Sequence, residues 1–369
     1  MTQYIPQSNA HSISELTILK ISALILLIFV HSDLVTAYPA IMNPVDWFLL
    51  SIFFFIGGYL AYTSFQKREK SLTQFFKSKI LSLYVPFAVA VIFYLALDTL
   101  MGAQTQPIAL FSQLSMLNIF SSLNTVYNWG TLWFIPFMLL FMGITCMLER
   151  YVKNIKLQLT AIAALLIVTT LLGIYNAPLR VDGLFNQYLL VFVFGFYISK
   201  FRLYDKLLNY KTAFIAVPIV LFFSVDLSYL FNYDTAVNAL VAQFYFNCRC
   251  MMLSMGLVIL ALMTLRRIKL PVNGLAKQIA DHSAFIYLSE PFISFLILTY
   301  VFGMGESMFA GGIAFYLYQA VRIVVLLVGI PLAFLAWRYV PKMISPSFMV
   351  KMRVVKMRVF YRGRNTLFK

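Results

Sequence analysis

The chain alternates between long apolar runs and short polar segments that are often basic. Ten runs are long enough to cross a bilayer as α-helices, because about 20 apolar residues span its hydrocarbon core. They cover residues 16–37, 46–65, 80–101, 130–149, 157–176, 183–199, 212–231, 246–265, 283–304 and 313–337. The pattern predicts an all-α, polytopic membrane protein with about ten transmembrane helices.

The basic residues predict the orientation of these helices. If the N-terminus lies inside and every run crosses, 25 of the 29 lysines and arginines fall in inside segments. Cytoplasmic loops are enriched in these residues, and one crossing more or fewer would move whole basic clusters to the other side. We therefore expect both termini in the cytoplasm. The uncharged segment 102–129 is expected to lie on, or dip into, the outer face.

Composition agrees with a membrane protein. The chain is 62% hydrophobic and 11% charged, whereas soluble domains carry about 25% charged residues. Loop bias explains the net charge of +16, so we infer no nucleic-acid binding. The cysteines lie in apolar runs and predict neither a disulfide framework nor a metal site. The predicted organisation is a cytoplasmic segment 1–15, a transmembrane domain 16–340 and a basic cytoplasmic tail 341–369 that anchors on anionic lipid.

The first run carries two groups that a bilayer disfavours, Lys20 and His31. At about 100° per residue they share one helix face, and at about 1.5 Å per residue they lie about 16 Å apart. The rest of that face is apolar, so a partner for the imidazole must come from another helix. Each group also has a plain explanation. Lys20 can snorkel to the headgroups, and His31 can be a structural histidine.

Ionisable groups inside other runs include Arg249, Glu290 and Arg322. Such groups are costly in a membrane and usually functional. Glu290 and Arg322 carry opposite charges in adjacent runs, so we predict that they pair. The Gly57-Gly58 pair in the second run favours close helix packing.

Five segments together resemble the acyltransferase-3 family of membrane O-acyltransferases. Lys20 and His31 match its Arg/Lys-x10-His motif. FFFIGGYLAY is similar to FFxxSGFL, FFKSKILSLYVPF to FxxRRxxRxxxPF, TLWFIP to HLWFL, and HSAFIYLSEPF to SFxIYLxHPF. The segments occur in the family's order and cover nearly the whole chain, as a membrane domain without an extracytoplasmic hydrolase-like domain. Ser82, Thr131 and Glu290 depart from the family's Arg, His and His.

The resemblance implies transfer of an acyl group, usually acetyl from cytoplasmic acetyl-CoA, to a hydroxyl of a carbohydrate or lipid-linked glycan. Lys20, Lys77 and Lys79 are expected to contact the donor phosphates as point charges. His31 would deprotonate the acceptor hydroxyl as a general base or take the acyl group itself.

Further roles are assigned from the charge and position of the residues in this sequence. Glu290 and Arg249 are expected to be catalytic, with Arg249 or a backbone amide stabilising the oxyanion. Asp33 and Trp133 are expected to bind the acceptor, and no metal is expected. The protein would lie in the plasma or inner membrane, surrounded by lipid, and its oligomeric state is left open.

Two other functions remain open at the level of sequence. A transporter or flippase of glycan intermediates would also use charges and a histidine at mid-membrane, although the chain lacks the repeated Gly/Pro-broken helices of many carriers. A catalytically inactive relative is suggested by the departures at Ser82, Thr131 and Glu290.

Overall fold

The computed structural model describes residues 8–31, 39–67, 71–100, 102, 107–120, 130–175, 184–225, 236–302 and 313–333. They form helices and connecting turns, as expected where lipid offers the backbone no hydrogen bonds. The helices are α1 (Ser8–Val30), α2 (Pro39–Lys67), α3 (Leu72–Lys79), α4 (Val85–Leu100), α5 (Pro107–Leu114), α6 (Phe134–Tyr151), α7 (Ile155–Ile174), α8 (Leu184–Lys200), α9 (Tyr204–Leu207), α10 (Tyr210–Ser224), α11 (Ala236–Ile268), α12 (Gly274–Asp281), α13 (Ser283–Leu296) and α14 (Ile313–Val324).

Seven helical stretches of the described chain are long and apolar enough to cross a membrane. They are Val45–Gln66, Leu72–Leu100, Phe134–Tyr151, Ile155–Ile174, Val241–Ile268, Ser283–Val301 and Ile313–Ala333. Each overlaps one of the predicted runs, and the remaining runs overlap α1, α8 and the shorter apolar helix α10. The all-α prediction is confirmed. The number of ten crossings and the cytoplasmic location of both termini stay predictions.

Within the described residues, three π-helical turns interrupt the regular winding. Ile80–Tyr84 joins α3 to α4, Ile297–Val301 extends α13, and Val325–Gly329 extends α14. A π-turn adds one residue to a helical turn and frequently lies at a functional site. Two of the ionisable residues singled out in the sequence, Lys79 and Arg322, lie shortly before such a turn.

Helices α2 and α8 run in the same direction against each other. The rings of Phe54 and Tyr188 stack with centroids 4.9 Å apart. Further along both helices, the hydroxyls of Thr63 and Ser199 lie 3.1 Å apart. The two predicted crossings run the same way when every run crosses, so this packing is consistent with the predicted alternation.

Glycines bring α2 and α8 into backbone contact. A Cβ atom on Gly58 would lie 2.0 Å from the backbone oxygen of Phe192. One on Gly195 would lie 2.1 Å from the backbone oxygen of Phe55. Neither position has room for a side chain, so the predicted close packing is confirmed at Gly58.

The segment after α4 folds back along that helix. The Tyr84 hydroxyl donates a hydrogen bond to the backbone oxygen of Leu114 at 2.7 Å. Tyr84 lies near the start of the third span, about 24 Å along the helix axis from Leu100. Leu114 therefore lies well below the end of α4, and the described residues 107–120 agree with the predicted dip.

Buried carboxylates join helices near the ends that we predict to be cytoplasmic. The Lys200 ammonium lies 2.6 Å from Oε2 of Glu149, which also accepts a bond from the Gln158 amide at 3.3 Å. These contacts connect α6, α7 and α8. The Tyr204 hydroxyl donates to Oε2 of Glu15 at 2.7 Å and ties α9 to α1.

Candidate active site

His31 closes the last turn of α1. Its backbone N–H donates to the Leu27 oxygen at 2.9 Å, and its side chain keeps about a quarter of its surface exposed. Its ring Nδ1 lies 2.9 Å from Oε2 of Glu290 on α13. As predicted, the hydrogen-bond partner of the His31 imidazole comes from a helix other than α1.

Glu290 is held on both carboxylate oxygens. It is 2% exposed. Its Oε1 accepts hydrogen bonds from the Arg322 guanidinium and from the Ser294 hydroxyl, the latter at 2.7 Å. The predicted pairing of Glu290 with Arg322 is confirmed. A buried carboxylate needs a counter-charge and filled hydrogen bonds, and both are present here.

Arg322 is fully buried and connects the pair to the end of α1. Its guanidinium donates to the His31 backbone oxygen at 3.3 Å and to Oε1 of Gln319 at 3.0 Å. The same group lies over the ring of Tyr318, 5.0 Å from its centroid. A guanidinium with this many partners has one orientation, so it also fixes the position of Glu290.

The arrangement assigns the proton on the imidazole. An ionised carboxylate can only accept hydrogen bonds, and the Arg322 charge favours ionised Glu290. Nδ1 of His31 therefore donates to Glu290, which leaves the lone pair on Nε2. An imidazole oriented in this way can serve as a general base or as a nucleophile.

Lys20 contacts the end of α12, the helix that directly precedes α13. Its ammonium donates to the backbone oxygen of Ala280, near the end of α12, at 2.9 Å. Because Lys20 and His31 contact the α12–α13 stretch at Ala280 and Glu290 respectively, their predicted shared face is confirmed. The charges of Asp281 and Lys79 lie within electrostatic range of Lys20.

The other predicted donor contacts lie on α3. Lys79 is partly buried, with its ammonium 5.5 Å from the centroid of the Phe75 ring. Lys77 is exposed, as is Ser82, which stands at a basic position of the family motif. The charge of Lys79 therefore lies within electrostatic range of Lys20, whereas Lys77 lies at the surface of the same short helix.

Arg249 lies in a different setting from the one that its oxyanion role would suggest. Its guanidinium donates to the backbone oxygens of Phe223 at 3.1 Å and Ser224 at 3.4 Å, which end α10. It also lies 5.7 Å from the ring centroid of Trp47. A cation at a helix C-terminus stabilises that helix, so these contacts favour a structural role. The oxyanion role stays a prediction.

The predicted acceptor contacts are only partly described. Trp133 packs against Phe137 and stacks on Tyr188, with ring centroids 5.7 and 6.3 Å away. Asp33 and the side chain of Thr131 lie outside the described residues. Their roles therefore stay predictions.

Reasoning from sequence missed several groups around the pair of carboxylate and imidazole. Ser294 is four residues after Glu290, and Gln319 is three residues before Arg322. Helical spacing brings such residues onto one face, so this signal was available. Asp46 was recognisable in the sequence as an outer polar residue compatible with sugar binding, but nothing in the sequence indicated that its charge lies within electrostatic range of His31.

The comparisons with known proteins agree with these features. A family model described as an acyltransferase domain, that of the acyltransferase-3 family, matches residues 13–302. No similar protein was found among curated proteins, and no similar structure among solved ones. The match covers most of the chain, including the helices that supply Lys20, His31 and Glu290. With its apolar helices, the chain therefore belongs to the acyltransferase-3 family of multi-pass membrane proteins.

Proposed function

We propose that the protein is an O-acyltransferase that moves an acetyl group from cytoplasmic acetyl-CoA to a hydroxyl of a carbohydrate or lipid-linked glycan. The observation that carries the proposal is the buried pair of Glu290 and Arg322 behind the partly exposed imidazole of His31. A solvated histidine has no such support. A charge pair kept inside a membrane protein is costly and is usually retained for function.

His31 acts as the base of the transfer. Nε2 takes the proton from the acceptor hydroxyl while the oxygen attacks the thioester carbonyl. The carbon–sulfur bond then breaks, and the departing thiolate takes the proton back from the imidazolium, which gives CoA and the acetyl ester. Glu290 accepts the hydrogen bond from Nδ1–H throughout and stabilises the imidazolium. In the covalent variant, Nε2 itself attacks the thioester and the CoA thiolate leaves; the acceptor oxygen then displaces the acetyl group from Nε2, and the hydroxyl proton passes to the thiolate.

The donor enters from the side of Lys20. The ammonium groups of Lys20 and Lys79 lie within electrostatic range of each other and would bind its phosphates as point charges. Lys77, exposed on α3, would add a third contact. His31 lies about 16 Å further along α1. A pantetheine arm spans about half of a bilayer core, about 15 Å, and would bring the thioester to the imidazole.

The acceptor approaches from the opposite side. Asp33 and Trp133 remain the proposed contacts for it, and the plasma or inner membrane the proposed location. This arrangement separates a charged donor from a carbohydrate acceptor by the thickness of the membrane, so that only the acetyl group crosses.

Transfer of label from radioactive acetyl-CoA tests the proposal. The purified protein in nanodiscs is incubated with acetyl-CoA and a glycan extract of cell envelopes. His31→Ala should lower transfer about 10²- to 10⁴-fold, the usual contribution of a general base. His282→Asn is the control. His282 lies between α12 and α13 and donates from Nδ1 to the Gln278 oxygen at 2.8 Å, so its variant should keep wild-type transfer.

The outcomes separate the competing functions. Undiminished transfer by His31→Ala would remove this residue from the mechanism. Movement of an unmodified glycan across the membrane of sealed liposomes that contain the protein, without acetylation, would favour the carrier. If the wild-type protein released no CoA and changed no glycan, the inactive relative would be the correct description.

A further inference from the structure

A buried hydroxyl on α8 is left without a partner. Tyr188 is 2% exposed, and its hydroxyl makes no hydrogen bond to any of the described residues. Leaving such a group unpaired costs about 1–3 kcal/mol. Native structures rarely tolerate this unless a ligand or an ordered water supplies the missing bond. The position of Tyr188 therefore needs an explanation that helix packing does not provide.

A row of aromatic rings connects this hydroxyl with the proposed active site. The row ends on α13, one helical turn before Glu290. Its members are Trp133, Tyr188, Phe54, Phe134 and Tyr287, with successive centroids 6.3, 4.9, 4.9 and 5.4 Å apart. Helices α2, α6, α8 and α13 and the short turn before α6 contribute to the row, which forms a continuous wall beside the charge pair.

Asp46 adds a carboxylate to this region. It lies on α2, about two helical turns before Phe54, and its side chain is partly exposed. Its charge is within electrostatic range of both His31 and Tyr188. Asp46 is thus a carboxylate within electrostatic range of both the unpaired hydroxyl and the imidazole.

Building on the proposed acetyl transfer, we infer that Asp46 and Tyr188 form the acceptor subsite and that this subsite takes a neutral sugar residue with free hydroxyls. A carboxylate accepts hydrogen bonds from two hydroxyls, and a phenol can both donate and accept. The half-buried face of Trp133 packs against the C–H groups of a sugar ring. The carboxylate repels uronic acids and phosphorylated sugars, which sets the charge specificity.

The test separates use of the acceptor from use of the donor. Cells lacking the protein are complemented with wild type, Asp46→Asn or Tyr188→Phe, and acetyl groups on envelope glycans are counted by mass spectrometry per amount of protein. The purified variants are also assayed without acceptor, where acetyl-CoA is hydrolysed by water. Each variant should lose about tenfold or more of glycan acetylation, since one lost hydrogen bond is worth about tenfold. Hydrolysis and its Michaelis constant for acetyl-CoA should stay within twofold of wild type.

Matched controls use a tyrosine and an aspartate away from this region. Tyr197 lies on the same helix as Tyr188 but donates to Gln158, and Asp205 is a surface residue paired with Arg266 at 3.0 Å. Tyr197→Phe and Asp205→Asn should keep both activities.

Two results would overturn the inference. One is a pair of activities in Asp46→Asn and Tyr188→Phe in which glycan acetylation does not fall more than hydrolysis does. The other is acetyl groups found on uronic acids or phosphorylated sugars alone. Failure of the proposed function looks different, because the wild-type protein would then neither hydrolyse acetyl-CoA nor change any glycan.

Discussion

Replacing Glu290 by glutamine removes one charge from the centre of the site and keeps the shape of the side chain. Glu290 and Arg322 are both almost completely buried, so Glu290→Gln leaves a guanidinium without a counter-charge. Breaking one partner of a buried pair costs about 3–5 kcal/mol. The variant should therefore lose a large share of its stability, visible as a lower apparent melting temperature in nanodiscs.

The same change should also impair catalysis, by a separate route. A glutamine amide can donate to Nδ1 of His31, which favours the tautomer with its proton on Nε2 and removes the lone pair from the side facing the substrate. We expect CoA release to fall about 10²- to 10⁴-fold at saturating acetyl-CoA. Adding Arg322→Gln to Glu290→Gln removes the unpaired charge, so it should recover at least half of the lost stability while activity stays low.

Two results would refute this reasoning. If the double variant is as unstable as Glu290→Gln, the unpaired Arg322 charge is not the cause of the instability. If Glu290→Gln keeps CoA release within about threefold of wild type, against the general-base contribution expected above, the carboxylate does not orient His31. Melting curves of all variants must be recorded at the same heating rate, because the apparent melting temperature depends on that rate when unfolding is irreversible.

Three further predictions address the donor site and the fold. Lys20→Ala should raise the Michaelis constant for acetyl-CoA about tenfold, since a phosphate contact is lost, without changing acceptor use; an unchanged constant would mean that Lys20 only caps α12. Gly58→Ala should destabilise the protein by about 1–3 kcal/mol through overpacking, whereas Gly173→Ala, where a Cβ meets no atom within 4 Å, should not; equal melting temperatures would contradict the close crossing. Burial, and then the carboxylate of Glu15, raise the pKa of Tyr204 so that its hydroxyl stays protonated. Tyr204→Phe should cost about 1–3 kcal/mol by leaving Glu15 short of a bond, and a stability equal to wild type at pH 7 would exclude this role.

Properties that depend on one helix at a time could be predicted from the sequence. The apolar runs marked the helices, and the spacing of Lys20 and His31 placed both on one face. The pairing of Glu290 with Arg322 was also predictable, because opposite charges inside a membrane have few other ways to be neutralised.

Properties that depend on the arrangement of helices left no such signal. Asp46 meets the region of His31 only because α2 packs beside α1, and Tyr188 meets the aromatic row only because α8 crosses α2. The contacts of Arg249 with the end of α10 depend on how α10 and α11 pack, which a linear pattern does not contain. The sequence did not decide whether the segment that contains α5 lies on the outer face or dips into it, because the segment is uncharged and only moderately apolar.

The π-turn after Arg322 has a consequence for the evolution of this family. Because a π-turn accommodates one extra residue locally, removing a single residue from Val325–Gly329 would restore α-helical winding and leave the residues after it on the same helix face. Ile330 packs after this turn in a buried cluster with Leu24 and Ile28 of α1. Relatives that lack that residue should therefore keep this packing without compensating substitutions on α1, whereas a deletion elsewhere in α14 would rotate the following residues by about 100°.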